Sequence, residues 1–300
     1  MEDQAAKLRQ MIEYRNLSVE HKLTDHQMQE KKIARNLRII AITSGKGGVG
    51  KTNFTVNLAI ALSQAGANVL IIDADLGLAN VEVLLGCSSA YTMMNLLNDN
   101  VSLADVILQG PEGIRYISGG SGLEQLADLS INDRTLLINK LYECEEFADI
   151  ILVDTGAGVG RNVLDFLIAA DEIILLTTPE PTALTDAYAV VKACRNYSET
   201  LHIKLVVNRI YDEDEGREVS VKLIATTKQF LGISIATLGV VYDDHNMVNA
   251  IKKQVPLLLS YPNTIAAKCI RTIAKSILQG RSTKIKRNWR DFLHRLIFSR

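Results

Sequence analysis

The run Gly45-Lys46-Gly47-Gly48-Val49-Gly50-Lys51-Thr52 decides the reading of this chain. It follows an apolar stretch, Leu37 to Thr43, with the character of a buried strand. It opens a segment, Lys51 to Ala65, with the character of a helix. In that strand–loop–helix setting a G-x-x-x-x-G-K-[ST] match means a phosphate-binding loop. Glycines at 45, 47, 48 and 50 let the backbone curl round an anion and aim its N–H groups at phosphate oxygens. The helix that follows turns its positive end to the same anion. Lys51 has the reach for β- and γ-phosphates, and the Thr52 hydroxyl is a ligand for Mg²⁺.

Outward from the loop, strand-like and helix-like segments alternate. Strand-like runs are Leu37–Thr43, Val69–Asp73, Ile114–Ser118, Asp149–Asp154, Glu172–Thr177, Ile203–Asn208 and Ile235–Val241. Helical segments between them include Lys51–Ala65, Asp133–Glu146, Thr182–Tyr197 and Arg217–Leu231. Ile150-Ile151-Leu152-Val153 and Ile173-Ile174-Leu175-Leu176 are continuously apolar, as in a parallel sheet covered on both faces. The expectation is a doubly wound, mostly parallel α/β domain over residues 37–280, with ligands beyond the carboxyl ends of its strands. Polar residues do gather there: Asp73 and Asp75, Asp154 to Gly156, Pro179-Glu180-Pro181, and Asn208-Arg209.

Asp154 ends an apolar strand opposite the loop, which suits Mg²⁺ binding, and Gly156 and Gly158 permit a mobile turn after it. Asp73 and Asp75 could place a water or metal near the γ-phosphate, or one of them could cap the next helix. Chemistry alone leaves both roles open. The acidic run Tyr211 to Gly216 reads as a solvated loop.

The two ends differ from the core. Residues 2–15 form a short amphipathic pattern with Ala5, Leu8 and Ile12 on one face, followed by a polar tether to residue 36. Residues 281–300 hold seven basic side chains against one acid, in a chain of net charge −1. There Ile285, Trp289, Phe292, Leu293, Leu296 and Ile297 recur at helical spacing. That pattern predicts a helix lying on anionic lipid; the competing arrangement is a tail helix packed on its own domain. DNA binding would leave the apolar face unexplained.

Composition narrows the rest. At 47% hydrophobic and 22% charged the chain is ordinary for a globular protein. Cys87, Cys144, Cys194 and Cys269 are too widely spaced for a zinc site, a disulfide framework or a paired Fe–S motif. The five histidines show no ligand spacing. Met1 to Arg9 lack a secretory pattern, and no apolar run reaches the ~18–20 residues of a membrane span, so a cytoplasmic location is expected.

Lys46-Gly47-Gly48-Val49-Gly50-Lys51-Thr52, with its extra lysine after the first glycine, resembles the deviant phosphate loop of the MinD/ParA (SIMIBI-type) ATPases. Asp73 to Asn80 is similar to that family's first switch, and Asp154-Thr155-Gly156-Ala157-Gly158 to its second. The resemblance implies ATP and ADP with Mg²⁺ and an ATP-dependent homodimer. Lys46 would cross to the partner's nucleotide, Lys51 would hold phosphate, and Asp75 would position the hydrolytic water. Asn208 and the turn Val240-Val241-Tyr242 would meet adenine.

Within the family, Asp3-Gln4-Ala5-Ala6-Lys7-Leu8-Arg9 resembles the N-terminal element of the FlhG-type flagellar number regulators. In that branch this element stimulates the signal-recognition-type flagellar GTPase FlhF, which makes Asp3, Gln4, Ala5, Leu8 and Arg9 the candidate contacts. The branch also implies flagellar C-ring components as partners and a peripheral place on the inner face of the cell membrane. The alternatives are a division-site-selection ATPase and a DNA-partition ATPase.

Overall fold

The computed structural model describes residues 37–75, 80–120, 129–198, 201–280 and 289–298. The N-terminal element and Ile285 lie outside these residues. In chain order the main elements begin with β1 (Arg38–Ser44), α1 (Lys51–Gln64), β2 (Val69–Ala74), α2 (Asn80–Leu85) and α3 (Leu103–Val106). Then come β3 (Leu108–Gln109), β4 (Arg115–Ser118), α4 (Ile131–Tyr142), β5 (Ile150–Ala157), α5 (Arg161–Ala169) and β6 (Glu172–Thr177). They are followed by α6 (Pro181–Arg195), β7 (Ile203–Ile210), α7 (Glu213–Leu231) and β8 (Ala236–Tyr242). The last are α8 (His245–Lys252), α9 (Leu257–Ser260), α10 (Ile265–Gln279) and α11 (Trp289–Phe298).

The described strands form one eight-stranded sheet in the order β3-β4-β2-β5-β1-β6-β7-β8. Every pairing is parallel except the short edge pair β3–β4. Strand β1 sits between β5 and β6, with Ile40 paired to Leu152 on one side and Glu172 on the other. The connections after β1 and after β5 leave for opposite edges of the sheet. The crevice at the carboxyl end of β1 is therefore the binding position of a doubly wound fold.

Both faces are covered, which accounts for the continuously apolar strands. Ile39 and Ala41 join one buried cluster with α4, α5, α6, α7 and α11. Ile40 and Ile42 join the other with α1, α2, α8, α9 and α10. Helix α1 is buried nearly all round, from Phe54 through Leu62, which explains why its sequence shows little amphipathic contrast.

One expectation is corrected here. Tyr211 and Asp212 lead into α7, which begins at Glu213, so the run Tyr211 to Gly216 is a capped helix start and not a loop. The Asp212 carboxylate accepts from Glu215 N at 2.8 Å, and the Glu215 carboxylate accepts from Tyr211 N at 2.7 Å. Acids in a first turn complement the helix dipole, so the charge run marks a cap.

The tail takes the competing arrangement named above, a helix packed on its own domain. In this conformation the described members of the lipid-facing set are core residues. Trp289, Phe292 and Leu293 are each 1% exposed, and Leu296 and Ile297 are also buried. The tail is packed within the domain rather than appended to it. Trp289 Nε1 donates to Leu141 O at 2.6 Å, and its ring stacks on Phe292 at 5.0 Å. Phe292 meets Phe166 of α5 at 6.5 Å, and Arg134 of α4 donates to Ile297 O at 2.8 Å. An apolar stripe specifies burial but not the partner that buries it. Among the described residues no helix is long and apolar enough to cross a membrane.

Candidate nucleotide site

The loop after β1 is held from three sides. Ser44 Oγ donates to Lys46 O at 2.7 Å, and Gly158 N donates to Ser44 O at 2.8 Å. Asn208 Nδ2, from the end of β7, donates to Val49 O at 2.8 Å. Gly45 lies against α6, where a Cβ would come within 2.1 Å of the Asp186 carbonyl carbon. Gly50 has φ +94°, a region that L side chains avoid, and it starts α1 with Phe54 N donating to its carbonyl at 2.9 Å. The loop and the start of α1 are thus fixed together at the carboxyl end of β1.

Lys51 is buried at that point. Burial pulls its ammonium pKa down, while the carboxylates of Asp154 and Asp75 hold it up. Asp154 is fully buried, and burial pushes its pKa to about 6 against the Thr52 and Thr55 hydroxyls and Lys51. Its Oδ1 accepts from Thr55 Oγ1 at 2.9 Å, whereas Oδ2 has no hydrogen-bond partner among the described residues. Asp73 pairs in register with Asp154 on the adjacent strand. Burial and the Asp154 charge push Asp73 to about 7.

The two open roles of Asp73 and Asp75 now separate. Asp73 Oδ2 accepts from Val81 N at 3.1 Å, so Asp73 caps α2. Asp75 accepts from the Asn80 side chain at 2.9 Å and stands beside the second switch, where a Cβ on Gly156 would meet Asp75 Oδ1 at 3.4 Å. Asp75 is thus the carboxylate between the two switch segments. Residues 76–79, the rest of the first switch, lie outside the described residues.

These residues fit Mg²⁺. Thr52 and Asp154 supply hard oxygen donors, and the unpaired Asp154 Oδ2 is a buried acceptor waiting for a cation or its water. No three His, Cys, Asp or Glu side chains among the described residues form a metal cage. Mg²⁺ held by these two residues would draw its remaining ligands from phosphate and water. Bound Mg²⁺ would supply charge neutralisation at the phosphates.

A cleft of about 620 Å³ runs from Gly50 and Phe54 to the ends of β6, β7 and β8, and its rim includes Asn208, Arg209, Tyr242 and Asp243. That size suits a nucleoside. Asn208, Val241 and Tyr242 line it as expected, but Val240 does not. Val240 packs on α7 instead, within 3.0 Å of a Cβ placed at Gly216. Lys46 rests on its own chain here. Its Nζ lies 2.7 Å from Glu180 Oε2 and 3.2 Å from Thr182 Oγ1 of the same chain.

The ParA family model, described as an NUBPL iron-transfer P-loop NTPase, matches residues 36–278. The chain belongs to the MinD/ParA family of P-loop ATPases. It is 36% identical over 241 residues to the antiactivator FleN of Pseudomonas aeruginosa, covering 80% of this chain and 86% of the relative. It is 31% identical to the flagellum site-determining protein YlxH of Helicobacter pylori, covering 87% and 90%. The septum site-determining protein MinD of Pyrococcus horikoshii, solved with Mg-ADP, superposes with TM-score 0.65 at 26% identity, covering 83% and 100%.

As a member of the MinD/ParA family the chain is an ATPase, and the cleft opens beyond the ends of β7 and β8. Sequence reasoning missed Met247, Val248 and Ile251, which reach the cleft from α8. Their signal was the helical spacing just after β8. Glu180 and Arg209 had shown as polar strand-end residues without a role. Arg209 has φ +58° at a register shift between Asn208 and Ile210, local strain of about 1 kcal/mol at the cleft edge.

Proposed function

We propose that this ATPase is a dimerising, membrane-associating regulator of flagellar number and placement. Similarity to FleN over 80% of the chain and to YlxH over 87%, the latter flagellar by name, carries this reading. The N-terminal run Asp3 to Arg9 supports it, with Asp3, Gln4, Ala5, Leu8 and Arg9 contacting FlhF to stimulate its GTPase. C-ring components are further partners.

ATP would lie with its phosphates on the loop's N–H groups and Lys51. Mg²⁺ would be held through Thr52 and Asp154. Asp75, beside both switches, would orient the attacking water. Lys46 would leave Glu180 and neutralise charge on the partner's nucleotide, which suits a reaction driven by positioning and electrostatics.

The second switch offers a path to the tail. Residues 154–160 lead directly into α5, and Phe166 of α5 touches Phe292 of α11. Closure of an ATP dimer would shift α5 and release α11. Two freed helices would then bind anionic lipid together, each basic residue adding about 1 kcal/mol near the surface.

The branch is tested with a peptide of residues 1–20 and purified FlhF. Stimulated GTP hydrolysis is the expected result. No stimulation would turn the reading toward the division-site alternative, which the likeness to solved MinD favours.

A further inference from the structure

We propose that Gln254 is a positioning residue for hydrolysis. It ties α8, the helix beside the nucleotide cleft, to α2, the helix of the first switch, so that the base of the nucleotide helps to set Asp75. The inference rests on the readings above that Asp75 orients the attacking water and that the cleft takes the nucleoside.

The argument starts from one backbone conformation. Helix α8 ends at Lys252, and the chain turns away through paired bonds, Gln254 N to Ile251 O at 3.0 Å and Val255 N to Ala250 O at 3.1 Å. That pair of bonds closes a helix through one residue in the left-handed region, a place glycine ordinarily fills. Here the residue is Gln254, with φ +54°. A side chain is unfavourable in that conformation, and such outliers gather where the side chain has a task.

The task is visible on α2. Gln254 Nε2 donates to Val83 O at 3.0 Å, and a Cβ placed at Gly86 would sit 3.5 Å from Gln254 Cβ. The glutamine therefore lies over the far end of α2. That helix has six residues, too few to be stable by its own hydrogen bonds. Asp73 Oδ2 holds its start by accepting from Val81 N at 3.1 Å, and Gln254 holds its end. The first residue of α2, Asn80, donates to Asp75 Oδ2 at 2.9 Å. Where α2 sits thus decides where the Asp75 carboxylate sits, through a single side chain.

The other end of the link is at the cleft. Met247, Val248 and Ile251 line it from α8. Ile251 also borders a small apolar gap that it shares with Leu84 of α2. A base resting on Ile251 loads the last turn of α8, the turn that Gln254 closes. Gln254 and Ile251 are then the two contacts by which that turn meets the switch helix. The glutamine contact is one exposed, neutral hydrogen bond, so its loss should show in turnover rather than in folding.

The test is steady-state hydrolysis by the full-length protein with Mg²⁺ and saturating ATP, beside ribose 5′-triphosphate, which lacks the base. Gln254→Gly removes the side chain and suits the left-handed backbone, so urea unfolding should find it about as stable as wild type. Its kcat with ATP should fall about two- to tenfold, the range for one neutral hydrogen bond. KM for ATP and the affinity for fluorescent ADP should each change by less than about twofold. With ribose 5′-triphosphate, kcat should be low in wild type and the same in Gln254→Gly. Gln254→Lys keeps a donor and should recover part of the rate with ATP. Gln254→Glu keeps the shape without the donor and should not. An unchanged kcat for ATP in Gln254→Gly overturns the proposal, as does an equal loss with both substrates. Asp75→Asn separates the failures. If it abolishes hydrolysis while Gln254→Gly does not lower it, the link alone is wrong. If Asp75→Asn hydrolyses ATP like wild type, the reading of Asp75 fails and the link falls with it. Wild type that turns over both substrates equally fast removes the role of the base, and the link with it.

Discussion

The loop Gly45–Thr52 and the helix α11 are held in opposite ways. The loop is fixed by polar contacts from three elements and surrounds carboxylates whose burial is unfavourable. Helix α11 is fixed by apolar burial on α4 and α5, where five side chains contribute about 8 to 15 kcal/mol as an upper bound. The loop sacrifices stability for chemistry, and the tail supplies stability without chemistry. The two also differ in specificity. The loop's chemistry suits a polyanion with a metal, whereas α11 is buried here by protein core. In the reading proposed above lipid is its second partner, and packing shape and the ~1 kcal/mol per basic residue would decide between the two.

The largest effect should come from the tail. Trp289→Ala should destabilise the protein by about 3–5 kcal/mol in urea unfolding, the usual loss for a buried tryptophan. A change under ~0.5 kcal/mol would show that α11 is not part of the core.

The loop should respond in the opposite sense. Asp73 is raised to about 7 in the folded protein, so the fold binds more protons than the unfolded chain at this group. Its contribution is most favourable below the ordinary carboxylate pKa and is lost as pH rises through about 7. Asp73→Asn in metal-free protein should therefore stabilise more at pH 8 than at pH 4, by about 3–4 kcal/mol. Equal effects at the two pH values would break the contrast.

The smallest effect should be at the tail's outer edge. Arg290 lies 5.6 Å from the Tyr142 ring centroid, and Arg290→Ala should lose about 0.5–1 kcal/mol in the same unfolding assay. A larger loss would mean that the polar face of α11 also anchors it.

Much of this architecture was legible in the residues. Continuous apolar runs located β1, β2, β5, β6 and β7, because strands buried on both faces need no alternation. The loop motif located the site, because its chemistry has few other uses. What escaped were features set by register or by partners. Strand β3 is only Leu108–Gln109, too short to show a period. Val240 and Val241 differ in which way the pleat turns them, which composition does not record. The acidic start of α7 looked like a loop because caps and turns draw on the same residues. The face of α11 was readable as apolar, but its partner in the folded chain was decided by the groove of α4 and α5, assembled from distant segments.

The central claim is that nucleotide state at the loop governs whether α11 is docked. Trp289 is the only tryptophan in the chain and lies in that helix, so its fluorescence reports docking directly. The decisive measurement is Trp289 quenching by anionic vesicles carrying brominated acyl chains, with ADP and then with ATP. The account predicts protection with ADP and strong quenching with ATP. Equal protection in both nucleotides, with the dimer formed, would contradict it.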